Sequence, residues 1–325
     1  MPERYLHERK DFKALLSTLS EEKGILPALI EKDYWIMQSL NGLNTCGLNF
    51  ELKGGTSLSK GYNIIERFSE DIDLHISPPQ KFIEETQIIV NENPGATSKL
   101  AITNREILFD WLAQNIQIAG ITEIVRDKAF DDEKFRSAGI RLIYPALFDS
   151  VPGIKDGILL EVGFAKVTPN SPITISSWMY DKAVKVSLKI KDNRAKDILC
   201  YHPGYTLVEK LQTISTKYRA DRSEGKRDQA KVNFMRQYYD IYHLLQQDTI
   251  IEFIGTDDYR EHKQFWFPEA DLIIPIEENQ AFLLDNDEIR RDYKERYAST
   301  SALYYSGQPD FDEIIEYIGT FLKRL

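Results

Sequence analysis

Apolar residues recur at helical spacing over residues 9–23 and again over 27–40, where Pro27 suits a first-turn position, so the pattern predicts two opening helices. The period then changes to two. Asn49-Phe-Glu-Leu-Lys53 alternates like a short strand and runs into Gly54-Gly55, after which Thr56-Ser-Leu-Ser-Lys60 can open a helix. Asp71-Ile-Asp-Leu-His-Ile76 alternates again until Pro78-Pro79 stops it. The stripe Ile107, Leu108, Trp111, Leu112, Ile116 predicts an amphipathic helix over 104–119, and 138–144 and 157–164 read as strands. Beyond about residue 203 the segments 205–219, 233–246, 288–297 and 311–325 are helix-like, with weak strand signals between them. The expected fold class is α+β: a mixed sheet flanked by helices in residues 1–202, then a helical domain over 203–325. No internal repeat or low-complexity tract interrupts it, and the basic stretch 217–231 is expected to be a mobile loop.

Composition narrows the class. A chain of 325 residues with 42% apolar, 28% charged and 11% aromatic residues buries a sizeable core rather than staying disordered. Two cysteines, Cys46 and Cys200, are too few for a disulfide framework or a cysteine zinc site; they are expected as buried thiols in a reducing compartment. The start is charged, with no apolar core, and no stretch approaches the ~18 apolar residues of a membrane span. A cytoplasmic protein without a membrane partner is expected. The net charge of −10 argues against nucleic-acid binding over the whole surface. Residues 182–236, however, hold 14 Lys and Arg against 6 Asp and Glu, a local +8 that predicts one basic face on an acidic body.

The chemistry concentrates in Lys53-Gly-Gly-Thr-Ser-Leu-Ser-Lys60 and Phe68-Ser-Glu-Asp-Ile-Asp-Leu-His75. On a strand, Asp71 and Asp73 share a face at about 7 Å along the backbone, within reach of a shared pair of divalent ions. Such a pair clamps the entering and leaving oxygens of a phosphoryl or nucleotidyl transfer. Gly54 and Gly55 permit close backbone approach, so turn amides and a helix N-terminus can hold phosphate, with the Thr56 and Ser57 hydroxyls as further donors. Taken singly, Asp-x-Asp is ordinary solvated strand and Gly-Gly an ordinary turn. Together they are complementary. Clustered like charges cost free energy unless a cation offsets them, which points to Mg²⁺, with Mn²⁺ as the alternative.

The run Glu31-Lys-Asp-Tyr-Trp35, the glycine segment, Glu66-Arg-Phe-Ser-Glu-Asp-Ile-Asp-Leu74, Val208-Glu-Lys-Leu211 and Arg236-Gln-Tyr-Tyr-Asp-Ile-Tyr-His-Leu244 together resemble the AbiEii/AbiGii toxin family of nucleotidyltransferases. The resemblance implies a polymerase-β-like nucleotidyltransferase core with an added helical domain that completes the active-site cleft. It also implies the toxin half of a bacterial toxin–antitoxin or phage-abortive system, with a cognate antitoxin as partner and NMP transfer from an NTP to RNA, in some relatives to tRNA 3′ ends. Carried over, Gly54, Gly55, Thr56 and Ser57 bind triphosphate and Asp71 and Asp73 hold metal. Glu161 in Gly157-Ile-Leu-Leu-Glu-Val-Gly-Phe164 is the third carboxylate, the alternative being an exposed strand glutamate. Lys210 neutralises triphosphate charge, the alternative being an exposed helix lysine. Asp240 orients Lys210 or accepts a proton from the attacking hydroxyl, or else only pairs within the helical domain. Lys60 and Arg67 flank the motif as phosphate contacts. Arg236, four residues before Asp240, suits an ion pair with it. The run from Glu31 to Tyr34 has no role beyond docking its helix near the cleft.

Two readings from other classes compete. A two-metal nuclease would use the same Asp71, Asp73 and Glu161, although the lysine often found two residues after the later carboxylate is replaced by Gly163. A non-catalytic module would sequester NTP, RNA or a partner protein. A Walker A loop is excluded because Ser59 precedes Lys60 and Gly61 follows it, and the five histidines form no zinc motif.

Overall fold

The computed structural model describes residues 3–151, 153–223 and 234–325, and the chain divides into two compact units. The first comprises Met1–Gly61 and Ser69–Tyr201; the second comprises Tyr62–Phe68 and His202–Leu325. No helix among the described residues is long and apolar enough to cross a membrane.

The first unit is built on seven strands, β1 (Phe50–Lys53), β2 (Asp71–Ile76), β3 (Glu123–Asp127), β4 (Ser137–Ile143), β5 (Ile158–Gly163), β6 (Asn170–Ile175) and β7 (Ala195–Tyr201). They form one mixed sheet in the order β3-β4-β5-β2-β1-β7-β6. The pairs β1–β2, β3–β4, β4–β5 and β6–β7 are antiparallel, whereas β2–β5 and β1–β7 are parallel. Its helices are α1 (Phe12–Lys23), α2 (Pro27–Thr45), the short α3 (Gly54–Thr56) continued by a π-helical turn Ser57–Gly61, α4 (Gln80–Thr86), α5 (Lys99–Asn115) and α6 (Trp178–Lys185).

The described elements of the second unit are helices, α7 (Pro203–Ser223), α8 (Arg236–Leu244), α9 (Asp248–Phe253), α10 (Asp257–Trp266), α11 (Glu269–Leu272), α12 (Gln280–Leu283), α13 (Asp287–Ala298) and α14 (Phe311–Gly319), with an isolated antiparallel bridge between Arg67 and Tyr304. The weak strand signals expected there correspond to short helices. Residues 217–223 of the expected mobile loop continue α7, and residues 224–231 lie outside the described residues, as does residue 233. The helix expected over 104–119 starts earlier, because the Ser98 hydroxyl caps α5 by accepting from the Ala101 amide, and ends at Asn115 before extended Ile116.

Helix α2 departs most from an amphipathic expectation. From Leu29 to Leu40 every residue is buried, including Glu31, Lys32, Asp33 and Gln38. A helix buried on all faces is normally apolar, so each of these polar groups needs a partner. Each has one. The Leu147 amide donates to Glu31; Lys32 donates to the Lys155 carbonyl and lies 3.6 Å from Glu70. Asp33 accepts from Lys60 at 2.6 Å and from the Trp178 amide at 2.7 Å. The Tyr34 hydroxyl meets His7 at 2.8 Å and Asn193 at 3.1 Å, while Trp35 stacks on Tyr144 with ring centroids 5.1 Å apart. The segment therefore ties six remote stretches of the first unit to one helix. Cys200 is buried as expected, but Cys46 is exposed at the C-cap of α2, where its thiol donates to the Gln117 carbonyl.

Removing one of these ties should be measurable. Tyr34→Phe takes away the hydroxyl shared by His7 and Asn193, and urea denaturation should report a loss of about 1–3 kcal/mol.

Candidate functional site

Strand β2 alternates as its sequence dictates: Ile72 and Leu74 are buried at 0% and 1% exposure, while Asp71 and Asp73 lie on the opposite, half-buried face. The register of the neighbouring strands fills out that face. Lys53 of β1 stands opposite Asp73, and Glu161 of β5 stands beside it on the other flank, so Lys53, Asp73 and Glu161 form one row across three strands. Burial pushes the Glu161 carboxyl up, and the charges of Asp73 and Asp71 push it further, to about 7, against the smaller opposing pull of Lys155 and Lys53. The cluster thus carries more negative charge than its lysines offset.

Gly54 is where the strand turns into α3. Its φ is +70°, and a Cβ there would lie 2.1 Å from Asp73 Oδ2, so only glycine lets the turn pass this close to the aspartate. Gly55 and Thr56 follow, both buried. The hydroxyls expected as phosphate donors turn inward instead. Thr56 Oγ1 donates to the Asp71 carbonyl at 2.5 Å, pinning the helix start to β2, and Ser57 is fully buried beside the Cys200 thiol, which burial pushes up to about 12.

Lys60 is tied back as well, to buried Asp33 at 2.6 Å, with its ammonium 5.2 Å from the Trp178 ring centroid. Two further residues have no role assigned from the sequence. Glu70 accepts from the Lys155 amide at 2.8 Å, and the Lys155 ammonium lies 3.1 and 3.0 Å from the two oxygens of Asp71. Both depend on a loop returning to the start of β2, which no local spacing reports. Lys53 could have been found from the sequence, since period-2 alternation places it on the same face as Glu51.

The remaining candidates belong to the second unit. Asp240 is fully buried on α8, where Arg67 Nε and Nη2 each donate to it at 2.6 Å and Lys210 Nζ donates at 2.7 Å. Burial alone would raise the Asp240 carboxyl, but the charges and hydrogen bonds of Arg67 and Lys210 prevail and lower it to about 2. Lys210 also donates to Gln237. Arg67, expected as a phosphate contact, is instead buried and spent on Asp240 and the Phe68 carbonyl. The cations that reach Asp240 at 2.6 and 2.7 Å are Arg67 and Lys210.

Asp71, Asp73 and Glu161 are hard oxygen donors of the kind Mg²⁺ takes. In the present arrangement no three His, Cys, Asp or Glu side chains among the described residues are gathered tightly enough to hold a metal ion. Asp71 is engaged with Lys155 instead.

A family model described as "Nucleotidyl transferase AbiEii toxin, Type IV TA system" matches residues 35–317. Among solved structures the chain is similar to an antigenic nucleotidyltransferase-like protein from Paracoccidioides brasiliensis at 12% identity, over 88% of this chain and 93% of that one; the TM-score of 0.34 is too low to bear on the fold. No curated protein matches.

Two variants test this geometry. Gly54→Ala should lose at least about 1–2 kcal/mol in urea denaturation, from the left-handed backbone alone, and displace Asp73. Asp240→Asn should cost about 3 kcal/mol at neutral pH by leaving two buried cations short of their counter-ion. Because the Asp240 carboxyl is lowered in the folded state, its contribution is complete above about pH 4 and lost as pH falls through about 2. The stability gap between wild type and Asp240→Asn should therefore narrow by about 2 kcal/mol across that window.

Proposed function

The chain belongs to the AbiEii nucleotidyltransferase toxin family, and from that premise we propose that it transfers NMP from an NTP to the hydroxyl of an RNA acceptor, the tRNA 3′ end. In this reading it is the toxin of a type IV toxin–antitoxin system with a cognate antitoxin, working in the cytoplasm and contributing to phage defence. The observation that carries the choice of site is the register: Asp71 and Asp73 on one face of β2, with Glu161 beside Asp73 and Gly54 against its carboxylate.

The acceptor oxygen attacks the α-phosphorus, the bond to the bridging oxygen of the leaving pyrophosphate breaks, and the hydroxyl proton is released. Asp71, Asp73 and Glu161 would hold Mg²⁺, which supplies charge neutralisation at the phosphates and favours ionisation of the hydroxyl. The protein's own contribution is positioning. Gly54 and Gly55 let backbone amides approach the triphosphate, Thr56 fixes that turn to the metal-binding strand, and Lys53 adds positive charge to the same row. Lys60 remains a candidate phosphate contact once released from Asp33. Within the second unit Asp240 holds the Lys210 ammonium at 2.7 Å, which suits the orienting role that the family resemblance gives it.

The acceptor class follows the family resemblance, and the basic composition of residues 182–236 suits it. Several of these cations are already paired: Lys182 with Glu22, Arg194 and Lys196 with Asp192, and Arg219 with Asp271. Binding to RNA through the remainder should weaken with salt.

The test supplies each α-labelled NTP with Mg²⁺ and total tRNA to wild type and to Asp73→Ala. Label should enter RNA with wild type and fall by about a thousandfold or more in the variant. Label on protein alone would move the acceptor to a polypeptide. Shortened RNA without label would favour the nuclease, and full activity in Asp73→Ala would overturn the assignment of the site.

A further inference from the structure

Lys155 is held more firmly than a loop lysine needs to be. Its amide donates to Glu70 at 2.8 Å, its carbonyl accepts from buried Lys32, and the carbonyl of the next residue, Asp156, accepts from Arg141 at 2.6 Å. The ammonium stands 4.3 Å from the Phe130 ring centroid and bridges both oxygens of Asp71, at 3.1 and 3.0 Å. Backbone anchoring on both sides removes much of the entropy cost of placing a long side chain. The buried Lys32–Glu70 pair thereby delivers a single positive charge to one chosen carboxylate.

We propose that Lys155 is the internal counter-ion of Asp71, a positioning residue that holds this carboxylate while no divalent cation is bound and must be displaced for one to bind. The proposal rests on reading Asp71 and Asp73 as metal ligands. It accounts for two observations together: Asp71, Asp73 and Glu161 lie on one sheet face, and the Lys155 ammonium covers both Asp71 oxygens on that face. The pair is strong enough to order the side chain but, being 29% and 19% exposed, weak enough for a doubly charged ion to break. The displaced ammonium would remain tethered beside the cluster by its fixed backbone.

The experiment is a calorimetric titration of Mn²⁺ into the full-length wild type, Lys155→Met, Lys155→Arg and Asp71→Ala, without nucleotide. Lys155→Met removes the competing charge while keeping the stem over Phe130, and should bind Mn²⁺ about tenfold more tightly than wild type. Lys155→Arg keeps the charge and should stay near the wild-type affinity. Equal or weaker binding by Lys155→Met, with binding lost in Asp71→Ala, would overturn the counter-ion role while leaving the metal site standing. No saturable binding in any variant, or binding unaffected by Asp71→Ala, would overturn the metal reading and this inference with it.

Discussion

Burying a charged run inside a helix is the constraint around which the first unit is organised. Glu31, Lys32 and Asp33 sit in α2 with almost no solvent contact, and an unpaired buried charge costs several kcal/mol. The fold answers by bringing a different stretch to each one: the amide of Leu147, the Glu70 and Lys155 stretches, and Lys60 with the Trp178 amide. Burial raises the Asp33 carboxyl and lowers the Lys32 ammonium, so these pairs are not a simple source of stability. What they supply is placement. Segments distant in sequence are fixed against one rigid element, and the start of β2 and the 155 loop are among them.

From that frame the electrostatics of the site follow. Three carboxylates converge on one sheet face because β2 alternates and because β5 runs parallel to it in the register that sets Glu161 beside Asp73. Burial raises the Glu161 carboxyl, and the charges of Asp73 and Asp71, only partly met by Lys155 and Lys53, raise it further. The second unit solves the opposite problem. There one fully buried carboxylate, Asp240, meets two cations and is driven downward. One cluster gathers carboxylates on a half-buried sheet face; the other is a single buried carboxylate satisfied by Arg67 and Lys210.

Much of this was legible from local pattern. The strands β1, β2, β4 and β5 and helices α1, α2, α5, α7, α8, α13 and α14 emerge from the pattern of apolar positions, as alternation in β1 and β2, as apolar runs in β4 and β5, and as helical spacing in the rest. Strands β3, β6 and β7 did not. Pro172 and exposed positions interrupt β6, Lys196 and Asp197 break the polarity of β7, and β3 is a short strand at the sheet edge with little burial. The glycine turn and Asp71-x-Asp73 announce themselves because their chemistry is compressed into one stretch. Lys155, Glu70 and the partner of Arg67 do not, since each role is created by a contact with a residue distant in sequence. For the same reason the inward turn of Thr56 and Ser57 was invisible: a hydroxyl in a glycine-rich turn reads alike whether it faces a ligand or the adjacent strand.

The central claim is that the shared face of β1, β2 and β5 holds the metal and the triphosphate. Its most direct test is the anomalous difference map of a crystal grown with Mn²⁺ and a non-hydrolysable NTP. The account predicts Mn²⁺ within about 2.0–2.4 Å of carboxylate oxygens of Asp71 and Asp73, with the triphosphate against the Gly54-Gly55 backbone. Mn²⁺ and nucleotide bound elsewhere, with Asp71 still engaged by Lys155, would contradict it.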